Sequence, residues 1–291
     1  MQPSRRAFLF GRRVPRTPWD AFRQRLERAA PGRLLASDAS PGLARLTPAR
    51  VEDVRHARAL CSEYGVMMVL DGVRGTGGDP DADAGRPVLR VDPSGLAGLA
   101  PGPRAGQWRA QPGCRLGELA QAGLAQFRDA PADTTLAVWL AQAHAWPSGA
   151  TADSGVIGVD LLLSDGTAET LGPFGQSDLR PLRSATVQRL VPALFQLSSS
   201  PDAAACRAHP GWPCRYRLDA LLPAPPAEVN LAQLLLGHGG ALAWVEEVLL
   251  AAGAPAPAAP GEPPPADLAG PARRLEVRIK DAFDPLDLYL S

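Results

Sequence analysis

Asn230-Leu-Ala-Gln-Leu-Leu-Leu-Gly-His-Gly-Gly-Ala-Leu-Ala-Trp-Val-Glu-Glu247 is an apolar run that stops in a glycine turn and restarts with strand-forming residues. The pattern predicts a short apolar helix, a turn over Gly237–Gly240 and a strand. Working upstream, Tyr216–Leu222 and Val187–Phe195 carry helical spacing, and Ile157–Leu163 reads as a strand. Ser164-Asp165-Gly166 turns that strand back onto Thr167–Leu171. Downstream, six prolines between Pro255 and Pro265 form an extended spacer. The segment after it, Pro271 to Asp284-Pro285, reads as one amphipathic helix closed by its proline.

The first half alternates in the same way. Trp19, Phe22 and Leu26 mark a short amphipathic helix packed on the outside of the main domain. A second helix is expected from Thr47-Pro48, with Thr47 as N-cap and Val51, Val54, Ala57 and Cys61 on its buried stripe, until Gly65 ends it. Val66–Leu70 then reads as a buried strand. It runs into the loop Asp71-Gly72-Val73-Arg74-Gly75-Thr76-Gly77-Gly78, followed by an acidic stretch and a strand over Val88–Val91. Successive glycines let backbone N–H groups converge on one anion. The loop has neither the Gly-x-Gly-x-x-Gly order of a Rossmann fingerprint nor the Gly-Lys-Ser/Thr of a Walker loop. Trp108–Gly113 reads as a strand turning into a helix over Leu116–Ala122, and Thr135 opens another helix.

Composition narrows the function classes. The 291 residues are 45% hydrophobic, enough for a sizeable core. Thirty basic residues balance thirty acidic ones, and Lys280 is the only lysine. No overall field favours nucleic acid or an anionic membrane, and no basic stripe carries interleaved aromatics. Cys61, Cys114, Cys206 and Cys214 lack metal-ligand spacing, so they read as reduced thiols and not as zinc or iron–sulfur ligands. No Gly-x-Ser-x-Gly elbow supports a hydrolase. No stretch approaches the length of a transmembrane helix. Ser4-Arg5-Arg6-Ala7-Phe8-Leu9 is similar to a twin-arginine signal, but arginines and a proline interrupt the apolar run after Phe10, which argues for a cytoplasmic chain. Residues 1–18 read as a basic arm, either disordered or a docking peptide for a partner subunit.

Five segments in order carry a family resemblance. The loop at 71–78 is similar to the Gly-Gly-Gly-Thr pyrophosphate loop of FAD-linked oxidases of the p-cresol-methylhydroxylase and vanillyl-alcohol-oxidase type. Gln111–Leu119 resembles their Ala-Gly-x-x-Leu-x-Glu-Leu turn. Thr134–Ala141 resembles Thr-Ile-Gly-Gly-x-x-Ala, with Ala137 and Val138 in place of both glycines. Tyr216–Leu222 with Gly237–Leu242 resembles the signature that closes the FAD domain, in which Gly-Ser-Glu-Gly has become Gly-His-Gly-Gly. Lys280-Asp-Ala-Phe-Asp-Pro285 resembles the C-terminal Lys-x-x-Phe-Asp-Pro.

The resemblance implies an α+β fold of two subdomains with noncovalent FAD between them. The expected organisation is a basic arm (1–18), an N-terminal helix and connection (19–46), the FAD-binding domain (47–253), a Pro/Ala-rich linker (254–267) and a C-terminal helix (268–291). Gly72, Val73, Gly75 and Thr76 would hold the pyrophosphate. Thr135, Ala137 and Val138 would flank the flavin, and Gly155, Val156 and Gly240 would approach the rest of the cofactor. As a plain turn or cap, each glycine and Thr135 has an equally ordinary explanation. His238 lies in the glycine turn, either as a hydrogen-bonded turn residue or near the cofactor. The loop holds no histidine for covalent flavinylation. The tryptophans read as core or interface anchors.

Only the proline spacer occupies the place of the family's substrate-capping domain, so no catalytic residue is assigned and no metal is expected. The architecture is most similar to the small FAD-binding subunit of glycolate oxidase, which works beside a larger FAD-linked oxidase subunit and an iron–sulfur subunit. Two readings follow. One is an FAD-binding subunit of a 2-hydroxy-acid (glycolate or D-lactate-like) oxidoreductase complex. The other is a degenerate, non-catalytic assembly or regulatory subunit, because Val138 puts a branched side chain where the family uses glycine.

Overall fold

The nine strands of the described residues divide into two sheets, the first built from residues before 92 and the second from residues after 98, and the order of pairing makes two layers. The computed structural model describes residues 17–36, 42–73, 85–142, 146–175, 181–254 and 265–290. The first sheet has the order β1-β2-β4-β3, built from β1 (Arg33–Ala36), β2 (Leu43–Thr47), β3 (Met67–Leu70) and β4 (Val88–Val91). β1 and β2 are antiparallel, while β2, β4 and β3 run parallel. Strands that run parallel in one sheet need crossover connections. Helix α2 (Val51–Tyr64) supplies the one between β2 and β3. Helix α1 (Pro18–Ala29) packs outside this layer through Phe22 and Leu26, both fully buried.

The second sheet is antiparallel throughout, in the order β5 (Leu99–Pro101), β6 (Trp108–Ala110), β9 (Trp244–Leu250), β7 (Val156–Leu162), β8 (Ala168–Leu171). Helices α3 (Leu116–Gln121), α4 (Leu136–Ala141), α5 (Ala185–Ser198), α6 (Pro201–Arg207) and α7 (Ala269–Phe283) accompany it. Val159, Leu161, Val245 and Val248 of the sheet share one core with Leu194 of α5 and Leu275 and Phe283 of α7. The architecture is thus α+β in two subdomains with a C-terminal helix, as the resemblance implies.

Three local readings change. The helix expected from Thr47-Pro48 starts at Val51, because Thr47 finishes β2; the Asp53 carboxylate accepts from the Ala49 and Arg50 N–H groups in place of a Thr47 cap. Residues 33–46, read as connection, hold β1 and nearly all of β2, which pair antiparallel. The apolar runs at Leu218–Leu221 and Leu231–Leu235 form single 3-10 turns instead of α-helices. Gly65 ends α2 at φ +66° as expected, and Ser164-Asp165-Gly166 makes the β7–β8 turn. The twin-arginine-like stretch, the acidic run after Gly78, His144 and the prolines at 255–264 lie outside the described residues.

The C-terminus fastens the two layers. Lys280 Nζ donates to the carbonyls of Ala241 (3.1 Å) and Tyr289 (2.6 Å) and pairs with Asp284. The Asp284 carboxylate accepts from the N–H groups of Leu288 (3.0 Å) and Tyr289 (2.8 Å). Tyr289 then lies parallel to β3 opposite Met68, and its hydroxyl donates to the Leu162 carbonyl of β7 at 2.9 Å.

Candidate functional site

The subdomains meet along a seam between the end of β3, helix α4 and the turn Gly237–Gly240. Gly237, Gly239 and Gly240 all have left-handed backbone, at φ +75°, +62° and +78°, which explains why this turn is written in glycine. Its N–H groups are used within the chain. Gly237 N–H donates to Leu140 O (2.7 Å), Gly239 N–H to Ala141 O (2.9 Å) and Gly240 N–H to His238 Nδ1 (3.2 Å). The turn thereby satisfies two carbonyls at the end of α4, groups that a helix end leaves without partners. The Arg215 guanidinium lies directly against Gly239, where a Cβ would stand 1.6 Å from Nη2.

Side chains fill the seam from both sides. A Cβ on Gly72 would come within 3.0 Å of Val138 Cγ2, and one on Gly240 within 3.0 Å of Leu70 Cβ. Leu70, Ala137, His238, Gly240, Trp244 and Tyr289 help to line a cavity of about 10 Å³. That volume is on the order of one water molecule; cofactor-sized pockets are roughly 300–1,000 Å³. Across the seam, Arg55 of α2 holds Glu246 of β9 by two bonds of 2.7 and 2.6 Å, and Arg58 donates to Ser164 O at 2.6 Å.

Of the residues expected at a cofactor site, Gly72, Ala137, Val138 and Gly240 converge here, and Thr135 stands at the head of α4. The Thr135 side chain accepts from Val138 N–H at 3.4 Å, which makes it an N-cap. Val73 packs on the core of the first subdomain. Gly75 and Thr76, with Arg74, lie outside the described residues. Gly155 and Val156 are elsewhere: Gly155, at φ +72°, immediately precedes β7 and Val156 begins it, and the other end of that strand, Leu162, meets the seam roughly 20 Å along. At Gly155 a Cβ would stand 2.4 Å from Ala251 O, so tight strand packing accounts for that glycine.

The chemistry of the seam is that of neutral donors. His238 is almost fully buried, and burial, with the Arg215 cation as a lesser cause, pushes its pKa down to about 3. It is therefore a neutral imidazole near pH 7, not a proton-transfer group. With Nδ1 accepting from Gly240, Nε2 carries the proton, and neither it nor the indole Nε1 of Trp244 has a partner among the described residues. Glycine spacing pointed to the turn in the sequence. Nothing local pointed to Trp244 or Leu70, whose positions depend on contacts across more than a hundred residues. Among the described residues no cluster of three or more metal-ligating side chains occurs, and no helix is long and apolar enough to cross a membrane.

As packed, the described residues of the seam do not fit a flavin dinucleotide. The cavity is far too small, Val138 and Leu70 close on the two glycines, and the turn's N–H groups are already bonded.

No family model matches the sequence, and no curated protein matches it. Solved structures with a similar fold include a glucooligosaccharide oxidase from Acremonium strictum described with a 6-S-cysteinyl, 8α-N1-histidyl FAD (17% identity, 81% of this chain and 43% of that one, TM-score 0.45). A xylooligosaccharide oxidase from Myceliophthora thermophila aligns at 16% identity over 80% of this chain and 43% of its own (TM-score 0.41). An alkyldihydroxyacetonephosphate synthase aligns at 16% over 72% and 31% (TM-score 0.41). This chain spans less than half the length of each. At that identity and superposition no residue role passes from them to this protein.

Proposed function

We propose that this chain is a non-turnover subunit of a flavin-dependent oxidoreductase assembly, one that keeps a two-subdomain FAD-oxidase-like body as a partner for a larger flavoprotein subunit. The observation that carries the reading is the closure of the seam by Val138 against Gly72 and Leu70 against Gly240. The chemistry of the 2-hydroxy acid would then belong to the larger subunit, and this chain would contribute binding surface. His238, neutral and buried, offers no acid or base for turnover.

A second reading keeps FAD in this subunit, and one observation favours it. The N–H groups of His238 and Trp244 on the seam wall lack acceptors among the described residues, and a buried unpaired donor costs about 1–3 kcal/mol. A flavin ring, rich in carbonyl and imine acceptors, would satisfy both once the seam opened. Visible absorption of the purified protein, before and after incubation with FAD and gel filtration, decides between the two. The non-turnover reading expects a colourless protein that retains none. Near-stoichiometric flavin absorbance sinks that reading and installs the second.

A further inference from the structure

Cys206 closes the last turn of α6, and Cys214 lies eight residues on, in the segment leading to Arg215. Their sulfurs are 3.6 Å apart, with the Cys214 thiol donating to Cys206. Both residues are buried, at 0% and 6% exposure. A disulfide needs an S–S distance of about 2.05 Å, an approach of roughly 1.6 Å that side-chain rotation and a small shift of α6 can supply. The other two cysteines are placed differently. Cys61 sits in the core of the first subdomain, and the Cys114 thiol donates to Gly98 O.

We propose that Cys206 and Cys214 form a reversible dithiol–disulfide couple that tethers α6 to the segment carrying Arg215. The oxidant is a low-molecular-weight disulfide such as oxidised glutathione. One cysteine thiolate attacks a sulfur of that disulfide, forms a mixed disulfide and displaces one small thiolate. The second cysteine thiolate attacks the protein-side sulfur of the mixed disulfide and displaces the other. The protein loses two electrons and two protons, and the small disulfide is reduced to two thiols. Cys206, whose sulfur accepts from the Cys214 thiol and is thereby favoured as the thiolate, is the first attacker.

Burial raises the pKa of both thiols, and carboxylates act in the same direction, Asp202 and Glu276 on Cys206 and Glu276 and Asp219 on Cys214. Exchange therefore waits on a local opening of α6 and is slow. The tether would bear on the seam, because Arg215 N–H donates to Glu276 of α7 at 2.6 Å while its guanidinium supports Gly239.

The couple is tested on the full-length native protein incubated with oxidised glutathione, then denatured and alkylated. The alkylatable thiols are expected to fall from four to two. Trypsin cuts after Arg207, so a non-reducing digest should hold residues 190–207 linked to residues 208–215. The oxidised protein should melt roughly 5 °C higher than the reduced one, and dithiothreitol should reverse the rise. Cys214→Ser should abolish the linked peptide. Four alkylatable thiols after prolonged exposure, glutathione adducts without the linked peptide, or a linkage involving Cys61 or Cys114 would each overturn the proposal. The wild-type peptide map decides between these outcomes even if the serine variant fails to fold.

Discussion

Val138 is the residue on which the functional reading turns. Its side chain sits where the resembling family writes glycine and packs on Gly72, so the steric conflict read from sequence is a physical contact across the seam. Val138→Gly should destabilise the protein by roughly 2–4 kcal/mol through lost packing and a glycine in a helix. If the valine is what excludes a flavin, the variant should also quench added FAD fluorescence where the parent does not. Silence from both proteins would show that other contacts keep the seam shut. His238 allows an independent check. The unfolded chain takes up a proton at this histidine below about pH 6.5, whereas the folded protein refuses it until about pH 3. Its contribution to stability is therefore intact above that window and lost as pH falls through it, by about 1.4 kcal/mol per pH unit. His238→Asn keeps an acceptor for Gly240 N–H and removes the titration, so urea midpoints of the variant should fall less between pH 6 and pH 4. Parallel slopes would mean that the imidazole is not held neutral.

Among the elements, those with strong local signals were legible before folding. The stripe Val54, Ala57, Cys61 with Gly65 after it marks α2, and the β7–β8 hairpin follows from its Ser-Asp-Gly turn. The β1–β2 hairpin was not legible, because most of β1 is exposed and Arg33–Ala36 shows no alternation for a period-two reading to find. The 3-10 turns at Leu218–Leu221 and Leu231–Leu235 read as helices in the sequence because apolar runs of four or five residues do not specify a period. The C-terminal knot was visible only as Lys-x-x-Phe-Asp-Pro, and its energetics come from burial. Asp284 has a fully buried side chain, so Lys280→Met should leave that carboxylate without its cation and lower stability by about 3–5 kcal/mol. The surface pair Arg274–Asp202 is the internal control: Arg274→Met should leave the urea midpoint in place. Equal shifts in the two variants would show that the knot acts as an ordinary surface ion pair.

Across the whole molecule, the family resemblance implied two subdomains but not how tightly they are joined, since the joining contacts pair residues such as Leu70 with Gly240 and Arg55 with Glu246. One cluster of buried side chains crosses the boundary: Leu46, Val54, Met68 and Leu89 of the first layer pack with Ala137, Leu162 and Trp244 of the second. A chain of this length could hold two separately unfolding units. The shared core instead predicts one cooperative transition, with tryptophan fluorescence and far-UV circular dichroism giving coincident curves. Trp244 is the largest side chain that the second sheet contributes to this core. Trp244→Ala should cost about 3–5 kcal/mol and should separate the curves, because the first subdomain loses more of its packing than the second. Coincident curves in the variant, shifted only to lower denaturant, would place the coupling in Arg55–Glu246 and the C-terminal knot. Separated curves in the parent protein would show that the seam is a hinge between independent units, and would restore the opening that a flavin needs.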